Sequence, residues 1–104
     1  MNQDSKDEMS PFQDTIFVRI MEGILMQSKY KRNVLLNAMG SIDKKVDTVP
    51  YYTMDCALCY LTYKDIQAQE CTLKNTQMLQ RLENRAKKNM LIMEEAHMQL
   101  SQDA

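Results

Sequence analysis

The stretch YYTMDCALCYLTYKDIQAQECTLKNTQMLQRLENRAKKNMLIMEEAHMQLSQDA, Tyr51 to Ala104, contains neither glycine nor proline. Those two residues are the strongest local breakers, so the stretch predicts one long helix, or two helices with no programmed break. At about 1.5 Å per residue a single helix would be roughly 75 Å long. A helix of that length signals a coiled coil, a membrane span or a helical repeat. Charges recurring from Lys64 and Asp65 to Glu94 and Glu95 exclude the membrane span.

Within this stretch Leu79, Ala86, Met93 and Leu100 recur every seventh residue, with Leu82, Asn89 and Ala96 three further on. They read as the a and d positions of a coiled coil, where a single polar residue such as Asn89 sets register. Earlier in the same helix Tyr52, Cys56, Cys59, Tyr63, Ile66 and Leu73 form a first stripe at helical spacing.

Upstream, Ser10-Pro11-Phe12-Gln13 reads as a helix start, with Ser10 capping and Pro11 in the first turn. From Ile16 to Met26, including Ile20 and Ile24, the chain is apolar on nearly every side, which predicts packing on more than one face. Val34, Leu35, Leu36, Ala38 and Met39 continue the pattern up to Gly40, expected as a left-handed helix end. Residues 41–49 form a connection, and Thr48-Val49-Pro50 restarts the helix.

These readings combine into an all-α fold: an antiparallel helical hairpin whose long second helix extends into a coiled coil. Residues 1–9 are expected to be a disordered N-terminal tail, 10–78 the helical hairpin and 79–104 the coiled-coil extension. If helix 1 (residues 11–39) folds back around residue 45, residue 12 reaches roughly residue 78. The extension then has no mate within the chain, and an uncovered helix is marginal in water.

The chain of 104 residues carries 13 basic and 14 acidic side chains, evenly spread, for a net charge of -1. It offers no basic face able to neutralise several phosphates, so a direct nucleic-acid ligand is excluded. The polar start Met1-Asn2-Gln3-Asp4 has no secretory pattern, and the odd number of cysteines reads as reduced thiols. A cytoplasmic setting follows as the expectation, with the nucleus as the other reducing compartment.

Two motifs invite chemistry. Cys56-Ala57-Leu58-Cys59 is a C-x-x-C, but it falls inside a helix, away from the N-terminal dipole that would activate it. The other soft ligands, Cys71 and His97, lie about 18 Å and 57 Å along the same helix. Glu94-Glu95-Ala96-His97 holds the Glu-x-x-His spacing of di-iron bundles, without carboxylates in reach on a neighbouring helix. There is no glycine-rich phosphate loop and no nucleophile–base set. The expectation is therefore no enzyme, no cofactor, no metal and no small-molecule substrate. The ten methionines suit adaptable binding surfaces, with core filling the more ordinary use.

The functional expectation is a non-catalytic helical interaction subunit of a larger multiprotein assembly. Its partners would be other helical chains, in a hetero-oligomer or a homodimer, bound through Ile16, Ile20, Ile24, Leu79, Leu82, Asn89, Met93 and Leu100. The alternative is a small export chaperone or adaptor that shields a partner's helix. In architecture the chain is similar to both kinds of protein, a likeness that carries no activity with it. It departs from the helix–turn–helix substrates of type VII secretion, reading Ala38-Met39-Gly40 where their turn carries a tryptophan.

Overall fold

The computed structural model describes residues 9–27 and 31–103; the expected disordered tail falls almost wholly outside them. A 3-10 turn at Pro11–Gln13 leads into α1 (Thr15–Met26), α2 (Lys31–Gly40), α3 (Thr48–Gln67) and α4 (Leu73–Asp103). Among the described residues there is no strand.

Local chemistry sets the element ends. Ser10 Oγ accepts from Phe12 N–H at 3.2 Å and caps the 3-10 turn. Asp14, rather than Ser10, then caps the first true helix, its Oδ1 accepting from Ile16 N–H at 2.9 Å and Phe17 N–H at 3.3 Å. The expected single helix over 11–39 is two, because α1 ends at Met26 and α2 starts at Lys31. Gly40 is the last residue of α2 and has no positive φ, so the left-handed end expected there is absent.

The main departure from expectation lies in the stretch without glycine or proline. It is not one helix: α3 stops at Gln67 and α4 begins at Leu73. Thr72 makes the new start, its Oγ1 accepting from Asn75 N–H at 3.1 Å. Asn75 Nδ2 in turn donates to the Glu70 carbonyl at 2.7 Å, which pins the connecting loop. Thr72 thus caps α4 by accepting from a first-turn N–H, while the Asn75 side chain ties that turn back to the loop. The chain reverses there, and α4 runs antiparallel along α3, as the pairs Asp55–Asn89 and Thr53–Met93 show.

Two expectations are thereby corrected. The long second helix does not extend into a free coiled coil, and residues beyond 78 do have a mate within the chain, namely α3. Energetics decide this. An unbroken helix would leave Leu82, Ala86 and Met93 in water, whereas reversal packs them into the core.

α3 is the central helix, contacted by α1, α2 and α4. Asp55, Cys56, Ala57, Leu58, Cys59 and Tyr60 are buried in unbroken succession, which a helix allows only where neighbours cover every side. Small residues sit at the tightest points: Cys56, Ala57 and Ala86 have no exposed surface. Phe12 packs against Tyr63 with ring centroids 4.3 Å apart and planes tilted by 39°, and Phe17, Met21 and Leu25 fill the core from α1. Leu35 and Met39 enter it from α2.

Each neighbour is also tied to α3 by a polar clamp. Glu22 of α1 accepts from Tyr60 Oη at 3.0 Å and pairs with Lys64. Arg32 of α2 donates to Thr62 at 2.9 Å and to Asp65 at 3.0 Å. Arg85 and Asn89 of α4 both donate to Asp55.

Candidate partner-binding surface

The eight residues expected at partner contacts divide into two sets. Leu82 and Met93 pack against the internal core, and Asn89 is buried against Asp55. Leu79 and Ile24 are half-buried, Ile24 against the core as well. The heptad seam of α4 is therefore occupied by α3 along most of its length. Ile16, Ile20 and Leu100 remain outside, at 71%, 53% and 67% exposure. Leu100 lies on the seam but beyond the start of α3, where it lines a depression of about 340 Å³ with Val46, Val49 and Ala96.

A different face of α4 was not legible as a site. With Leu79, Ala86 and Met93 in the a positions, Leu91 and Met98 fall on f, diametrically away from the seam. A solvent-facing helix places polar residues there. Instead Leu91 is 65% and Met98 53% exposed. Beside Leu91 the 3-10 turn approaches α4 and leaves an open groove of about 660 Å³ between them. Its lining includes Met9, Pro11, Met90 and Leu91 for the apolar part and Asp14, Lys87 and Glu94 for the polar part. The surface continues past Glu94 and Glu95 to Met98. Three methionines thus contribute to one exposed band, and their flexible side chains can refit to a docked surface. The sequence signal was the seven-residue repeat of Leu91 and Met98, masked by the stronger seam repeat next to it.

The C-x-x-C pair is sealed in the core. Burial pushes the Cys56 thiol up to about 11 and Cys59 up to about 12, with Asp55 adding to both. Protonated, enclosed thiols are poor nucleophiles and poor ligands. Cys71 is exposed in the loop between α3 and α4. Glu94 and His97 are exposed, and among the described residues no group of three or more metal-ligating side chains comes together. Among the same residues no helix is long and apolar enough to cross a membrane.

No protein-family model, curated protein or solved structure matches this chain.

Proposed function

We propose that this chain is a non-catalytic interaction subunit of a larger assembly, and that it binds a helix of another protein in the groove between the 3-10 turn and α4. The observation that carries this reading is the placement of Leu91 and Met98 on the outermost face of α4, continuous with Met9, Pro11 and Met90. An amphipathic helix laid in such a groove buries its apolar stripe at i, i+3, i+4 and i+7. Glu94, Glu95 and Asp14 along the edge favour a partner helix with lysine or arginine flanking that stripe.

Site-specific photocrosslinking in the native cell tests this. Probes at positions 91 and 98 should capture a discrete partner, and a probe at the exposed Gln77 of the same helix should not. Equal capture from all three positions, or none from 91 and 98, would overturn the groove as the binding surface.

A further inference from the structure

Along the outer face of α4 opposite charges are placed symmetrically about one apolar residue. Lys87 and Lys88 precede Leu91 by four and three residues, and Glu94 and Glu95 follow it by three and four. At about 100° per residue, Met98 falls within about 20° of Leu91 around the helix. Lys88 and Glu95 lie about 60° and 40° from Leu91 on one flank, and Lys87 and Glu94 about 40° and 60° from it on the other. Lys88, Glu94 and Glu95 are exposed, and none of these three makes an ion pair among the described residues. The positions three and four away from Lys88 and from Glu95 on α4 hold no residue of opposite charge.

We infer that this face pairs with α4 of a second copy of the chain, antiparallel, about a twofold axis at Leu91. A twofold contact must be self-complementary, each patch supplying what the other lacks. Reversing α4 about Leu91 exchanges its basic and acidic positions, while each flank meets the same flank of the copy. Lys88 then stands opposite the second copy's Glu95, offset by about 1.5 Å along the axis, and Glu95 opposite the second copy's Lys88. Lys87 and Glu94 repeat the arrangement on the flank beside the 3-10 turn. Leu91 meets its own counterpart, and the flexible Met98 lies over the second copy's Asn84. A parallel pair would bring each flank against the opposite one, setting Lys88 beside Lys87 and Glu95 beside Glu94. The order of charges therefore selects both the occupant and its direction.

The inference rests on the reading of Leu91 and Met98 as a docking face, and names what lies there before a partner helix does. One helix face is smaller than a permanent interface, so the second copy can be exchanged for that partner.

Sedimentation equilibrium of the full chain at low salt, over a thousandfold concentration range, is the test. The wild type should pass from a 12.2 kDa monomer to a dimer. Lys88→Glu and Glu95→Lys should each weaken the dimer roughly tenfold, because two facing pairs turn from attraction to repulsion. Combining both changes in one chain should restore it, and an equimolar mixture of the two single variants should associate as a heterodimer. Both sites are exposed, so the melting temperature should not move. In a Cys71→Ser chain, oxidation should link Leu91→Cys to itself and leave Met98→Cys unlinked, since antiparallel pairing sets the two 98 positions about 21 Å apart along the axis. A mixture no tighter than its parts, or a disulfide at 98, would overturn the inference. A chain that stays monomeric while probes at 91 and 98 capture another protein would overturn this inference alone. A dimer without such capture would support it and overturn the partner reading instead.

Discussion

Asp55 on α3 accepts a 2.6 Å hydrogen bond from Asn89 on α4, and both residues are buried. The same carboxylate takes two hydrogen bonds from Arg85, whose side chain is 60% exposed. One buried charge is therefore satisfied by a donor reaching in from solvent and by a second donor from the core. This cluster fixes the register of α4 on α3.

The cluster predicts an unequal mutant series. Arg85→Ala leaves Asp55 charged and buried with Asn89 alone, and should cost about 3 kcal/mol of unfolding free energy. Asn89→Leu removes one of its donors and should cost about 1–3 kcal/mol. Pairing Asp55→Leu with Asn89→Leu removes both buried partners together and should cost less than the sum of the singles. Urea titration followed by circular dichroism measures these three variants and Asp55→Leu alone, and additive losses would show that the groups do not act as a unit.

The reversal at residues 68–72 predicts that the C-terminal part is needed for folding. A chain ended at residue 78 lacks Leu82, Ala86 and Met93, which exposes one whole side of α3. It should show reduced helicity and no cooperative thermal transition. Thr72→Ala in the full chain removes only the cap and should cost about 1 kcal/mol.

Thiol accessibility follows from burial. In the native protein at pH 8 an alkylating reagent should modify Cys71 rapidly, and Cys56 and Cys59 only at the rate of unfolding. Mass spectrometry should therefore show one adduct under native conditions and three in guanidinium.

Alkaline pH should destabilise the fold. Burial, chiefly, holds Cys56 near 11 and Cys59 near 12, against an ordinary 9.0. Tyr60, buried and bonded to Glu22, is pushed up to about 12 from an ordinary 10.0. Between these limits the unfolded chain releases protons that the native state keeps, so unfolding becomes easier as pH rises. The urea midpoint should be level from neutral pH to about 9 and fall between about 9 and 12. A midpoint that rose over that interval would contradict the burial of these groups.

Much of the architecture was readable from the chain. The all-helical class follows from helix-forming residues with few breakers. The restart at Thr48-Val49-Pro50 follows from the fit of proline to a first helical turn, and the Ile16–Met26 block was readable as packed, though not that Phe17, Met21 and Leu25 form its core side. These are local properties, set by sterics and by hydrogen bonds between near neighbours. The stop at Gln67 was not readable from breakers, because Thr72 and Asn75 end and restart a helix by hydrogen bonding, without glycine or proline.

Which surface meets which could be decided only in three dimensions. The seam through Leu82, Ala86, Asn89 and Met93 is the same pattern whether it faces another chain or its own α3. Sequence period alone therefore assigned it to a partner. Loop closure over five residues costs little entropy, and it brings Asp55 to Asn89 and covers the seam at once. That balance left Ile16 and Ile20 on α1, and Leu91 and Met98 on α4, among the apolar side chains the fold does not cover. Exposure belongs to the packed molecule, because a side chain's period names its face but not what lies opposite.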